Sequence, residues 1–171
     1  MIAQENAAKQ LILMPHSSFN KLAAEIGEAP SDKQLTLVNM TSRCGSTLLG
    51  QIIALTPNTR VLCEPWSLVN INYLLNCKKI SKTEYKTLLR NAVHILCNWE
   101  HNKHIKHVFI KTNLFMAPAF PLLKEMFPGA KFIFNTRNFP PTIESQMQVI
   151  NAQPTIVNLT GELSKVRGSW S

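Results

Sequence analysis

Short apolar runs alternate with longer amphipathic or apolar stretches through the middle of the chain. The runs are bounded by turn residues and predict strands at residues 35–40, 60–63, 108–110 and 131–136. The stretches that follow them predict helices at residues 48–55, 66–76, 82–99, 117–127 and 139–151. Alternating strands and helices imply a three-layer α/β fold, in which a central parallel β-sheet is flanked by helices on both faces.

The first of these helices and the two chain ends carry different patterns. Residues 48–55 are apolar almost without a break, which predicts a buried helix. Residues 1–30 predict an N-terminal helical flank, interrupted at Pro15 and around residues 27–30, with Ser17 or Ser18 as an N-cap. Residues 31–171 form the predicted domain, and residues 154–171 show little periodicity. We therefore expect its C-terminal part to be cut short.

The amino-acid composition of the chain limits the kinds of ligand and partner that we expect it to bind. The 171 residues include 18 Lys and Arg against 10 Asp and Glu, a formal net charge of +8, which favours phosphate, sulfate, acidic acceptors or nucleic acid. The basic residues are scattered and no nucleic-acid module is evident, so nucleic acid is not expected. No apolar run approaches the ~20 residues of a membrane span. The four cysteines are spread singly, which predicts reduced thiols and fits a cytoplasmic location.

Charged side chains stand at the end of each predicted strand. Because the carboxyl ends of parallel strands meet at one edge of a sheet, where ligands of such folds gather, we expect these side chains to share a site. The four residues are Arg43, Glu64, Lys111 and Arg137.

The loop at residues 42–47 joins the first strand to a helix, the order typical of a phosphate-binding loop. Its backbone amides can face an anion, and Arg43 can add a bidentate contact. It departs from the nucleotide-binding pattern G-x-x-x-x-G-K-[ST], since Met40 occupies the first glycine position and Ser46 the lysine position. The only aspartate, Asp32, precedes the loop, so we expect an anion site without a metal.

A second chemistry, zinc binding, is suggested by a cysteine and histidines at plausible spacing. They are Cys97, His101, His104 and His107. These residues span a predicted helix end, a loop and a strand start, so they need not converge. A basic connecting loop explains them without a metal, and no metal site is predicted.

Three ordered motifs over residues 35–152 resemble those of sulfotransferases that use 3′-phosphoadenosine 5′-phosphosulfate (PAPS). Residues 42–49 are similar to the family's 5′-phosphosulfate loop, P-[KR]-S-G-T-T, with Cys44 in place of serine and Ser46 in place of threonine. Residues 110–114 are similar to its I-K-T-H-L segment. A strand ending in Arg137-Asn138, followed by Ser145, resembles its 3′-phosphate motif.

The resemblance implies a P-loop NTPase-like sulfotransferase fold that takes PAPS as co-substrate and no metal. The 5′-phosphosulfate would lie on the loop residues Ser42, Arg43, Cys44, Gly45, Ser46 and Thr47. Arg137 and Ser145 would hold the 3′-phosphate, while Arg43 and Lys111 would stabilise charge on the oxygen that leaves sulfur.

The family resemblance also bears on the catalytic base. Cytosolic members use the histidine of K-T-H, but this position is Asn113, which cannot take a proton at neutral pH. Tyrosylprotein sulfotransferases place a glutamate 21 residues after the loop arginine, and Glu64 has this separation from Arg43. Glu64 is therefore the candidate base, with a structural ion-pair role as the alternative.

The resemblance predicts transfer of a sulfuryl group to a hydroxyl of a glycan, a tyrosine or a small molecule. The motif style is nearest to carbohydrate and tyrosylprotein sulfotransferases, which would imply the Golgi lumen if the chain is a fragment of an anchored enzyme. Two alternatives stay open: a non-catalytic protein or fragment that binds PAPS or adenosine 3′,5′-bisphosphate, and an atypical P-loop NTPase or kinase.

Overall fold

A computed structural model describes residues 14–26, 31–98 and 104–152 of the chain. The helices are α1 (His16–Glu25), α2 (Ser46–Ala54), α3 (Trp66–Asn76), α4 (Lys82–Cys97), α5 (Phe120–Met126) and α6 (Phe139–Ala152). The strands are β1 (Leu35–Met40), β2 (Thr59–Cys63), β3 (His107–Lys111) and β4 (Lys131–Asn135). Two 3₁₀ turns lie at Asp32–Gln34 and Leu114–Ala119.

The four strands form one sheet in the order β2-β3-β1-β4, with every pairing parallel. The register aligns the strand ends, because Lys111 pairs with both Val38 of β1 and Cys63 of β2, and Asn135 pairs with Met40. The prediction of an α/β fold with a central parallel sheet flanked by helices is confirmed. All four carboxyl ends therefore lie along one edge of the sheet.

The main hydrophobic core fills one face of this sheet. Leu37 of β1 and Ile110 of β3 are fully buried there and pack with α3, α4 and α5. The fully buried Tyr85 of α4 belongs to the same core, and its Oη donates a 3.4 Å hydrogen bond to Asn72 Oδ1 on α3. Burial of this apolar surface is the main force that holds the helices on the sheet.

On the other face, α2 packs against β2 through its smallest residue. Gly50 lies so close to the strand that a Cβ atom there would be 3.5 Å from Cys63 Sγ. The prediction that this helix is buried is wrong: Ser46 and Gly50 are covered, but Leu55 is 84% exposed. An apolar run without periodicity does not indicate which side of a helix meets the sheet, and here only one narrow side does.

Three predicted boundaries are also corrected. Ser17 and Ser18 lie inside α1, which follows Pro15 without a side-chain cap, so neither is the N-cap. The helix predicted at residues 117–127 is a 3₁₀ turn followed by α5, because Pro118 has no amide to continue an α-helical ladder. Helix α4 ends at Cys97, two residues earlier than predicted. Residues 1–13, 27–30, 99–103 and 153–171 lie outside the described part.

Helix α4 is the longest described helix, with 16 residues. A capping box starts it: Ser81 Oγ accepts from the Glu84 amide, and Glu84 Oε2 accepts from the Ser81 amide. Its buried side faces the core and its other side is polar. None of the described helices is long and apolar enough to cross a lipid bilayer.

Candidate functional site

A cavity of about 490 Å³ opens at the carboxyl edge of the sheet, above the ends of β1, β2 and β3. The loop after β1, the first turn of α2, Arg137 after β4 and Ser145 of α6 complete its wall. The lining residues are Met40, Thr41, Ser42, Arg43, Cys44, Gly45, Ser46, Thr47, Leu48, Glu64, Lys111, Asn113, Leu114, Arg137 and Ser145. Every residue that the sequence assigned to the anion site lies on this wall, and its described residues include three cations and one carboxylate.

The loop between β1 and α2 exposes the first amides of the helix. Gly45 stands at the N-cap with φ +82°, a left-handed conformation that suits glycine, and no side chain caps the helix. Helix α2 starts at Ser46, so Ser46 and Thr47 belong to its first turn rather than to the loop. Uncapped amides and the helix dipole favour an anion at this position.

Hydrogen bonds join this loop to α6. Arg43 Nε donates to Ser145 Oγ over 2.9 Å, and Ser42 Oγ donates to Gln146 Oε1 over 2.8 Å. Arg137 Nη1 donates to the Arg43 carbonyl oxygen over 3.4 Å. The residues assigned from the sequence to the 5′ and 3′ ends of a nucleotide are thus neighbours in this structure. Gln146 was not foreseen, and its only sequence signal is its place beside Ser145.

An ion pair also lies on the cavity wall. Lys111 Nζ, at the end of β3, is 2.8 Å from Glu64 Oε1, which follows β2. The Lys111 side chain is only 5% exposed, whereas that of Glu64 is 37% exposed. Lys111 Nζ also donates a long hydrogen bond of 3.4 Å to Thr47 Oγ1 in the first turn of α2. The buried ammonium therefore faces both the carboxylate and the first turn of α2.

Hydrogen bonds of the backbone and of the side chain hold Glu64 in position. Its φ of 50° is left-handed, and its amide donates to the Lys111 carbonyl over 2.7 Å. Asn113 Nδ2 donates to Glu64 Oε2 over 3.4 Å, while Asn113 Oδ1 accepts from the Phe115 amide over 3.0 Å. Asn113 thus orients the carboxylate instead of acting as a base. Glu64 combines the ion-pair role with access to the cavity.

Two buried polar side chains, Asn39 and Thr112, form hydrogen bonds beside the ends of β1 and β3. Thr112 Oγ1 donates to the Val38 carbonyl over 2.9 Å, and Asn39 Nδ2 donates to Thr112 Oγ1 over 3.2 Å. Asn39 Nδ2 also lies 3.4 Å from the Asn113 carbonyl oxygen. These bonds link β1 to the segment that carries Lys111 and Asn113. The sequence signal for this buried group is an asparagine, Asn39, inside an otherwise apolar strand.

The residues weighed as zinc ligands do not form a site among the described residues. Within residues 14–26, 31–98 and 104–152, no three His, Cys, Asp or Glu side chains are grouped to hold a metal ion. His107 starts β3 and is exposed, Cys97 ends α4, and His101 lies outside the described part. All four cysteines lie within the described part and are free thiols.

The chain matches no known protein family, no curated protein and no solved structure. Its function must therefore be inferred from the residues of the cavity. Three features matter: uncapped helix amides, three cations around one space, and a carboxylate that reaches the same space.

Proposed function

We propose that this protein is a PAPS-dependent sulfotransferase. We also propose that its α/β domain has the P-loop-like sulfotransferase fold. The observation that carries the proposal is the convergence of Arg43, Lys111 and Arg137 with the amide end of α2 and the Glu64 carboxylate around one cavity of about 490 Å³. This volume lies within the range of about 300–1,000 Å³ common for small-molecule sites. The strand order, with the loop following β1, one of the two inner strands, supports the fold assignment.

The residues present suit a donor with anionic groups at two positions. The loop residues 42–47 and Lys111 would hold the phosphosulfate, because amides, hydroxyls and a buried ammonium converge there. Arg137 and Ser145 would hold the 3′-phosphate, and Arg43 is hydrogen-bonded to both of these residues. Of the described residues on this wall, one is a carboxylate and three are cations, so an anionic ligand meets a net positive charge there.

When bound, the donor supplies the sulfuryl group, and adenosine 3′,5′-bisphosphate leaves as the sulfur–oxygen bond to its 5′-phosphate breaks. Glu64 would accept the proton of the acceptor hydroxyl as its oxygen bonds to sulfur. Lys111 and Arg43 would stabilise the negative charge on the phosphate oxygen that is released. A well-placed donor of this kind contributes about 3–4 kcal/mol to the transition state.

A second candidate function is binding of the nucleotide without transfer. The specific observation in its favour is that Glu64 is already engaged by Lys111 at 2.8 Å and by Asn113 at 3.4 Å. A carboxylate held in this way can serve as a structural partner of the lysine. An NTPase or kinase activity is less well supported. The loop lacks the P-loop lysine, and Glu64 is the one carboxylate that the described part of the chain contributes to the cavity wall.

Calorimetry with adenosine 3′,5′-bisphosphate, without magnesium, tests the proposal. We expect binding to the unmodified chain and a loss of at least tenfold in affinity for Arg137→Ala, since a charge-assisted contact to phosphate contributes about 1.5–3 kcal/mol. Lys131→Ala removes the same charge from an exposed position at the start of β4 and should leave the affinity unchanged. A preference for Mg-ATP over the bisphosphate would overturn the proposal.

Transfer is then measured with radiolabelled PAPS and a mixture of hydroxyl acceptors. Labelled product that is lost in Glu64→Gln supports the sulfotransferase. Binding without product, on acceptors that span phenols, sugars and peptides, supports the second candidate instead.

A further inference from the structure

A second cavity of about 740 Å³ lies between α3 and the 3₁₀ turn Leu114–Ala119. It is largely apolar, and its wall includes the exposed aromatic side chains of Trp66, Tyr73 and Phe115. We call it the aromatic groove. Its remaining lining residues are Val69, Asn70, Asn72, Asn76, Leu114, Ala117 and Pro118.

The aromatic groove adjoins the candidate nucleotide site. Leu114 lines both cavities. Trp66 starts α3 two residues after Glu64, and Phe115 follows Asn113 by two residues. Both walls of the groove therefore begin close to the ends of β2 and β3, where Glu64 is hydrogen-bonded to Asn113. A molecule in the groove would have one end close to Glu64.

The wall of the aromatic groove is fixed by a buried amide. Asn72 is 6% exposed, and its Nδ2 donates to the Phe115 carbonyl over 3.2 Å, which ties α3 to the 3₁₀ turn. Its Oδ1 accepts from the buried Tyr85 hydroxyl over 3.4 Å. The Asn72 side chain therefore links α3 to the 3₁₀ turn on one side and to α4 on the other.

Among the residues that the structure describes, the groove has no Asp, Glu, Lys, Arg or His on its wall, whereas three cations line the neighbouring cavity. A charged group of a ligand would lose its hydration in the groove without gaining a contact with a side chain of opposite charge. Aromatic faces favour flat apolar surfaces. The two exposed amides, Asn70 and Asn76, can serve a few hydroxyl or carbonyl groups but not a charge.

We propose that the aromatic groove is the acceptor site and that it takes an uncharged, largely apolar alcohol or phenol, with the reacting hydroxyl directed toward Glu64. This proposal rests on the proposed function and narrows its acceptor class. Anionic glycans and acidic peptides are excluded as preferred acceptors, because their charges would face a neutral wall.

A matched pair of probes tests the acceptor class: 2-naphthol and the charged 6-hydroxynaphthalene-2-sulfonate, with methyl β-galactoside as the neutral sugar. Equilibrium binding and sulfate transfer are measured for each. We expect 2-naphthol to bind and to be sulfated at least tenfold more efficiently than the other two. A preference for the sulfonate or for the sugar would overturn the proposal.

Two variants locate the probe. Phe115→Ala should weaken 2-naphthol binding about five- to tenfold through the lost aromatic contact, and it should leave the affinity for adenosine 3′,5′-bisphosphate unchanged. Phe134→Ala, which removes an equally exposed aromatic residue from β4, should change neither affinity. Unchanged 2-naphthol binding in Phe115→Ala would overturn the proposal.

The two proposals fail in different ways. Bisphosphate binding without 2-naphthol binding removes the aromatic groove as acceptor site and leaves the nucleotide site intact. Binding of 2-naphthol that depends on Phe115, in a protein that does not bind the bisphosphate, removes the proposed function and with it the acceptor role of the groove.

Discussion

The Glu64–Lys111 ion pair joins a buried ammonium to a carboxylate that water still reaches. The exposed fractions of the two side chains are 37% and 5% respectively, and their charged atoms are 2.8 Å apart. Thr47 Oγ1, at 3.4 Å, is a poor substitute for the carboxylate as a partner of Lys111. This asymmetry predicts unequal costs for removing the two charges.

Glu64→Gln keeps the shape of the side chain and leaves the ammonium without its counter-ion. Breaking a fully buried pair costs about 3–5 kcal/mol, but water reaches this pair from the Glu64 side, so we expect a loss of about 1–2 kcal/mol in the free energy of unfolding. Lys111→Met leaves a carboxylate that water can solvate and should cost less than about 1 kcal/mol. The double variant has no unpaired charge, so its loss should be about 1 kcal/mol smaller than the sum of the two.

Urea denaturation at pH 7 measures these differences as shifts in midpoint at constant slope. Adenosine 3′,5′-bisphosphate should restore Glu64→Gln to the stability of the unmodified chain, because a phosphate would replace the lost carboxylate beside Lys111. If Lys111→Met is the costlier variant, or if the two losses simply add, the ammonium does not depend on Glu64 and the reasoning is refuted.

Two further predictions concern glycine positions and alkaline pH. Gly50→Ala should stabilise the protein by up to about 1 kcal/mol, because the helix gains propensity and the new Cβ would meet Cys63 Sγ at an ordinary 3.5 Å. Gly45→Ala should destabilise it by about 1–2 kcal/mol, since its φ is +82°. Urea denaturation should give opposite signs, and equal signs would contradict the assigned start of α2. Burial raises the pKa of Tyr85 and of Cys97 to about 12. Stability should therefore be complete below about pH 9 and fall toward pH 12, by at most about 1.4 kcal/mol per pH unit for each group. Tyr85→Phe and Cys97→Ala should each flatten this decline in thermal unfolding, and an unchanged slope in both would count against the cause.

The sheet and the strand ends were predictable because local patterns mark them. Apolar runs bounded by turn residues locate each strand, and parallel pairing then brings the strand ends to one edge. Contacts across that edge were not predictable in the same way. The hydrogen bond between Arg43 and Ser145 joins residues 102 positions apart, so it depends on the path of the whole intervening chain.

Helix α2 shows a different limit. Leu48 and Ile52 are apolar but exposed, since only the side with Ser46 and Gly50 meets the sheet. The apolar run identified a helix but contained no information about its covered side. The amino-acid composition of one segment therefore predicts that it is a helix better than it predicts which of its side chains are buried.

The left-handed backbone at Arg43 and Glu64 was invisible in the sequence, because neither residue type favours it. Such conformations cost about 1–3 kcal/mol each unless neighbours hold them. At Arg43 the neighbour is the guanidinium of Arg137, which donates to the Arg43 carbonyl, and at Glu64 it is the backbone carbonyl of Lys111, which accepts from the Glu64 amide. The Arg137 guanidinium, proposed to bind the 3′-phosphate, therefore also holds the backbone of the loop. Removing Arg137 should act twice, by losing a phosphate contact and by loosening the loop that presents the amides of α2.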